Sequence, residues 1–221
     1  MPARRRSGGG GRPHTKKLCF LIAYGPTREP VDPVRYLSNY STGAMGKNLV
    51  LAAQSRGHAV ESVECPTRVQ TACELDRLMQ KLLPKADVVV MAAAVADARP
   101  DRVSAKKIKK DRFHTIRLVK NPDVLANLAK NKKKNQVFVG FGLESDDLAG
   151  NGAKKMKKKS LEFIILQRVT EKNKPFGEKA IDACLLESSG KSTWYPSVQK
   201  EKLAGIVVAQ AEACFVSKNR D

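Results

Sequence analysis

The stretch DVVVMAAA, Asp87 to Ala94, is apolar almost without interruption. A strand with one wet face alternates polar and apolar residues, whereas a strand covered on both faces has no reason to alternate. The stretch therefore reads as a central strand of a parallel sheet. Leu18 to Tyr24 (LCFLIAY) has the same character and stops at Gly25-Pro26. Between the two lie a helical pattern on Met45, Leu49, Ala52 and Ala53 closed by Gly57, a strand at His58 to Glu64, and a second helix on Leu75, Leu78, Met79 and Leu82 that Pro84 stops. The segment from Gly25 to the first helix reads as a loop.

The alternation continues past Ala94. A helix spans about Pro122 to Lys130, with Asn121 as its cap and Pro122 in its first turn. A strand at Gln136 to Phe141, a helix near Asp146 to Lys159 and a strand at Leu161 to Leu166 follow. Ala180 to Glu187, a turn at Ser188 to Gly190, and Ser192 to Tyr195 then form an antiparallel hairpin before a last helix from about Gln199 to Phe215. The expected fold class is α/β, a doubly wound, mostly parallel sheet with a C-terminal antiparallel hairpin.

The chain has 221 residues, enough for one α/β domain over residues 18–217. Residues 1–17 carry Arg4, Arg5, Arg6, Arg12, Lys16 and Lys17 among glycines, with no acid, and read as a disordered basic tail. Forty-one Lys and Arg against 22 Asp and Glu give a net charge of +19, which raises the question of nucleic acid. Stacking on bases would need aromatic residues among the basic clusters, and aromatic content is only 5%. Five cysteines without a C-x-x-C pair exclude a disulfide framework and a zinc site of that pattern. No apolar run is long enough for a membrane span, so a cytoplasmic protein is expected.

In an open parallel sheet, ligands bind beyond the carboxyl ends of the strands. Four segments there carry unusual chemistry. In GPTREPVDPVRYLSNYSTGAMG (25–46), Gly43 and Gly46 open a helix whose free N–H groups suit a phosphate or carboxylate, with Ser41 beside them. In AAAVADARP (92–100), Ala92 and Ala93 let a flat ring approach the backbone and Asp97 can accept hydrogen bonds from a base or ribose. VKNPDVL (119–125) leads into a helix, and VGFGLES (139–145) precedes one whose Lys155 and Lys159 share a face. Neither G-x-G-x-x-G nor G-x-x-x-x-G-K-[ST] occurs at a strand end, which removes support for an ordinary nicotinamide reductase or phosphate-loop ATPase.

Together with KIKK (107–110), these strings occur in the order that resembles the phosphopantothenate–cysteine ligase family, the ligase half of bifunctional bacterial coenzyme A biosynthesis proteins. The resemblance implies a Rossmann-like fold, a homodimer, and a ligase joining 4′-phosphopantothenate to L-cysteine. CTP, with ATP as the alternative, and Mg2+ are the implied cofactors. The carboxylate attacks the α-phosphate, pyrophosphate leaves, and the cysteine amine attacks the acyl-nucleotidylate. Carried over by motif, Asn39 engages the acyl intermediate and Lys107 serves the cysteine step. Nucleotide contacts fall on Ala92, Ala93, Asp97, Lys107, Pro122, Asp123, Val124, Leu125, Phe141, Lys155 and Lys159. Substrate contacts fall on Asn39, Ser41, Gly43 and Gly46, and no protein ligands are implied for the metal.

Two positions depart from the family pattern. Ala44 stands where many members have Lys or Arg, and Gln167-Arg168 where members commonly carry Asn-Asp. The flavin-dependent decarboxylase half is absent, so a separate phosphopantothenoylcysteine decarboxylase is implied. The alternatives are a family member that binds nucleotide without ligating and a basic nucleic-acid-binding protein.

Overall fold

A computed structural model describes residues 16–171 and 173–220 of the chain. The expectation of a disordered tail therefore falls, up to residue 15, outside the described residues. In chain order the first half contains β1 (Cys19–Pro26), β2 (Arg28–Asp32), β3 (Arg35–Ser38), α1 (Ala44–Ser55), β4 (Ala59–Glu64), α2 (Ala72–Leu82), β5 (Val88–Ala94) and β6 (Ala98–Pro100). The second half contains β7 (Leu118–Lys120), α3 (Val124–Ala129), β8 (Val137–Glu144), α4 (Leu148–Lys159), β9 (Phe163–Arg168), β10 (Ile181–Glu187), β11 (Ser192–Val198) and α5 (Lys200–Lys218).

A seven-stranded sheet runs β4-β1-β5-β8-β9-β10-β11. The five strands from β4 through β9 pair in parallel, and β10 and β11 add antiparallel. This is the doubly wound, Rossmann-like sheet with its C-terminal hairpin. The hairpin ends raggedly: the β10–β11 register shifts between Ile181 and Ala183, and Pro196 sits within β11.

The apolar runs are explained by cover on both faces. Phe20, Ile22, Val88, Val90 and Val139 pack under α1 and α5, against Leu49, Leu203 and Val207. The intervening Leu21, Val89 and Phe138 face α2, α3 and α4, against Leu75, Met79 and Leu128. Burying one such side chain stabilises by about 1.5–3 kcal/mol, which favours apolar residues at both sets of positions.

The chain leaves β1 towards β4 on one side and returns to β5 on the other, with Gly25 level with Ala93 and Pro26 with Ala94. The strand order reverses at that point, and a crevice opens there. Gly46 sets how closely α1 can lie: a Cβ at this position would come 2.0 Å from Tyr24 Cβ on β1.

Two features differ from the sequence expectations. Residues 25–46, read as a loop, hold the β2–β3 hairpin, an arm beside the small β6–β7 pair. Its strands are too short for a clear period, and its apolar residues Val34 and Tyr36 are exposed. Its root is fastened where the buried Glu29 carboxylate accepts the Ala72 N–H at 2.9 Å, at the start of α2. The cap of α3 is Asp123 rather than Asn121: its side chain accepts the Ala126 N–H at 3.3 Å. The helix begins at Val124, which leaves Asn121 too far upstream to reach the first turn, and its Nδ2 donates to the Ala96 carbonyl at 2.8 Å.

Candidate functional site

Two cavities open at the reversal point, one of about 350 Å3 and one of about 240 Å3. They share Ala93, Val95, Asp97 and Phe141 as common walls. The larger is bounded by Asn39, Ser41, Gly43 and Gly46 on one side and by Ala92 of β5 and Lys155 of α4 on the other. The smaller is bounded by Pro122, Asp123, Val124, Leu125 and Lys159. Nearly all the residues singled out from the sequence thus come together, though Ala92 and Lys155, expected with the nucleotide set, line the larger cavity beside Asn39 rather than the smaller one.

The larger cavity receives the start of α1. Gly43 holds the position before the helix with φ 75°, in the left-handed region that glycine adopts without strain, and no side chain caps the helix. The first turn contains no acidic residue. Unsatisfied N–H groups and the positive end of the dipole make this a place for an anion. Ser41 Oγ accepts the Gly43 N–H at 3.3 Å and shapes the loop. Asn39 Nδ2 donates to the Ala94 carbonyl at 2.9 Å, which fixes the amide at the end of β5. An amide nitrogen has two hydrogens, so one donor and the carbonyl oxygen remain for a ligand.

The smaller cavity is built from charge. Lys159 Nζ lies 2.9 Å from Asp123, and Lys158 lies 3.2 Å from the same carboxylate. Burial would raise the Asp123 carboxyl, but the Lys159 and Lys158 contacts outweigh it and hold the group low. Across the shared wall Lys155 pairs with Glu144 at 2.5 Å, and Asn151 Nδ2 donates to Glu144 at 3.1 Å. Both lysines therefore rest on carboxylates that an incoming phosphate can replace. Asp97 is exposed at the junction of the two cavities, and its carboxylate has no partner among the described residues.

Lys107 is the exception. It lines neither cavity and sits in a separate concavity with Val34, Arg35 and Ile108. The segment is held by the arm through one carboxylate. Asp32 accepts from Arg35 Nη2 at 2.5 Å and from the Ile108 N–H at 3.1 Å, while Arg35 Nη2 also donates to the Ile108 carbonyl at 2.7 Å. The Arg35 guanidinium stacks 3.8 Å from the Phe113 ring centre. The Arg35 hydrogen bond, with smaller help from the Val34 and Ile108 N–H groups, holds the Asp32 carboxyl down to about 2.

Sequence reasoning missed three groups in the larger cavity. Lys200, Pro175 and Phe176 all line it. The signal for Lys200 was a lysine at the first position of a predicted helix, where a cation opposes the dipole. Of the pair that departs from the family pattern, Gln167 lines the cavity and Arg168 does not. Ala44 also lines it, so the position lacks a cation but stays open. Among the described residues no group of three or more His, Cys, Asp or Glu side chains is arranged to hold a metal. No helix among them is long and apolar enough to cross a membrane.

Comparison with known proteins adds a family to this geometry. The chain is 35% identical over 210 residues to a cysteine/cysteine sulfinic acid decarboxylase of an unknown prokaryotic organism, covering 89% of the chain and 58% of the relative. It is 34% identical over 205 residues to the coenzyme A biosynthesis bifunctional protein CoaBC of Borreliella burgdorferi, covering 86% of the chain and 51% of the relative. The chain thus spans roughly half the length of these relatives. The crystal structure of the C-terminal domain of a coenzyme A biosynthesis bifunctional protein CoaBC superposes with a TM-score of 0.74 at 26% identity, over 92% of the chain and 97% of that domain. Residues 15–214 match the DNA/pantothenate metabolism flavoprotein C-terminal domain family, and the chain belongs to that family.

Proposed function

We propose that the chain is a ligase of coenzyme A biosynthesis that joins 4′-phosphopantothenate to L-cysteine at the expense of CTP. The observation that carries this reading is the pair of adjoining cavities, one built around a free helix N-terminus and Asn39, the other around Lys159. Such a reaction needs a carboxylate and a triphosphate, two groups that repel each other, to meet at one wall. The shared residues Ala93, Val95, Asp97 and Phe141 form a wall of that kind.

In the first half-reaction the substrate carboxylate attacks the α-phosphorus and pyrophosphate departs. Asn39 donates its remaining N–H to a carboxyl oxygen without a charge that would blunt the nucleophile. Lys155 and Lys159 leave Glu144 and Asp123 to neutralise the charge building on phosphate oxygens. Magnesium, when bound, neutralises triphosphate charge, and it would be held by the phosphates with at most one or two carboxylates such as Asp97. In the second half-reaction the cysteine amine attacks the acyl carbon and CMP leaves. We assign Lys107 to this step, delivered by the exposed segment that Asp32 tethers. A homodimer, a cytoplasmic location and supply of the product to a decarboxylase complete the reading.

The test is pyrophosphate release by purified protein given 4′-phosphopantothenate and each nucleoside triphosphate in turn, with and without cysteine. Release with CTP, and amide product only when cysteine is present, is the expected result. Folded protein that releases none with any nucleotide would refute the ligase reading, and preference for ATP would revise the nucleotide.

A further inference from the structure

The larger cavity has a wall that the family motifs do not supply. Between β9 and β10 the chain presents Pro175 and Phe176 to the cavity. Two buried side chains hold this loop. Asn173 accepts the Asp182 N–H at 3.0 Å, and its Nδ2 donates to the carbonyls of Arg168 at 2.8 Å and Asp182 at 3.1 Å. Gln167, itself part of the cavity, donates to Asn173 Oδ1 at 3.3 Å. At the other end Lys200 Nζ donates to the carbonyls of Pro175 at 2.8 Å and Gly177 at 2.5 Å. Phe176 then meets Tyr40, neighbour of Asn39, with ring centres 6.4 Å apart, so the two loops face each other across the opening.

Lys200 is an unusual choice for this task. The residue is only 5% exposed, and burial pulls its ammonium below the ordinary lysine range against the raising field of Glu178. It begins α5, where the dipole disfavours a cation. Both lysines of the cavity can be compared: Lys155 rests on Glu144, whereas Lys200 has carbonyl partners and no carboxylate within ion-pair distance among the described residues. An ammonium has three donors, and two are used here. A neutral amide could hold one carbonyl at less cost, so the charge itself needs a role.

We propose that Lys200 is a positioning residue of this cavity: its ammonium fixes the 173–180 loop as the wall against which an anionic, chain-like acid substrate lies, and its charge, in no direct ion pair, favours that anion. The inference rests on the ligase reading and adds to it a determinant for the acid that is separate from the nucleotide cradle. None of Lys200, Pro175 and Phe176 lines the smaller cavity that Asp123 and Lys159 bound, so their loss should affect the acid more than the nucleotide, which reaches the larger cavity at Ala92 and Lys155.

The experiment compares Lys200→Met and Lys200→Arg with the parent protein. In the Met variant the KM for 4′-phosphopantothenate should rise about tenfold, with the KM for CTP within about threefold of the parent, and the Arg variant should recover most of the difference. Hydrogen exchange at the 173–180 amides should accelerate about tenfold in the Met variant while the amides of β5 stay unchanged. Equal rises in both KM values, or unchanged loop exchange, would overturn the proposal. If the parent protein proves inactive, the ligase reading fails, and exchange together with binding of 4′-phosphopantothenate by calorimetry still decides the role of Lys200. Should the Met variant not fold, Phe176→Ala, a change at the half-buried face of the same wall, must raise the KM for the acid alone; an unchanged value would overturn the proposal.

Discussion

Phe20, Phe138 and Phe163 are buried in the sheet by neighbours on both faces, whereas the β2–β3 arm is held largely by two buried carboxylates, Glu29 and Asp32, and leaves Val34 and Tyr36 in water. Apolar burial is spread over dozens of side chains, and no single one decides whether the sheet exists. A polar hub concentrates its effect in two or three bonds that can open together. Segments held in this second way come from the low-stability end of a structure, where moving parts are found. The division matches the chemistry proposed: a rigid cradle for the nucleotide, and a tethered segment that brings Lys107 late.

The largest test strikes the rigid half. Gly46→Leu forces a Cβ into the space of Tyr24, 2.0 Å from its Cβ, and should lower stability by about 3 kcal/mol or more in urea unfolding. Gly205→Ala is the control, since a Cβ there meets nothing within 4 Å inside a helix; a gain of about 0.5–1 kcal/mol is expected. If both changes are neutral, the seam between α1 and β1 is not the close fit described.

A smaller effect is expected from the arm and its cargo. Lys107→Gln should slow amide formation about tenfold and let the acyl-nucleotidylate accumulate, while pyrophosphate release in the first turnover stays near normal. Asp32→Asn should mimic it more weakly, because it loosens the tether without removing the lysine. Quenched-flow trapping distinguishes the steps. Intermediate levels equal to the parent in the Lys107 variant, with product unimpaired, would dissociate the arm from the second step.

The smallest effect is in the pH dependence of the tether. Asp32 has its carboxyl lowered from 3.8 to about 2 in the folded protein. A lowered carboxyl contributes fully above its unfolded value and loses its contribution as pH falls through the folded one. The tether should thus be indifferent to pH above about 4 and fade between about 4 and 2. Carboxyl-detected NMR of Asp32 should find a midpoint near 2, and Arg35→Met should move it up towards 3.8. A midpoint near 3.8 in the parent protein would show that Arg35 does not hold it.

The same contrast separates what the amino-acid sequence makes legible from what it hides. Asp87 to Ala94 announces a covered strand because every position obeys one rule, and both Gly43 and Gly46 mark a tight helix entry by their spacing. The motif residues Asn39, Asp97, Asp123, Lys155 and Lys159 were legible as a set, and all of them reach the two cavities. The arm was not legible, because strands of five and four residues carry no period and their register depends on Asp32 meeting Ile108, 76 positions away. Lys200 was hidden for a related reason: its partners are backbone carbonyls, which have no letter in the sequence. Asn121 and Asp123 compete for one cap, and composition alone does not say which backbone turn wins.

The ragged end of the hairpin has a consequence for how these molecules coexist at high concentration. An open sheet exposes a row of backbone donors and acceptors on its outer strand, a template on which another copy could add strand by strand. Within β11, Pro196 contributes no N–H, Ser197 adopts a left-handed φ of 45°, and the pairing has already slipped between Ile181 and Ala183. A second strand laid along this edge would find its ladder interrupted after Tyr195. Fibre growth is thus discouraged at the outermost strand by a proline and a slipped register.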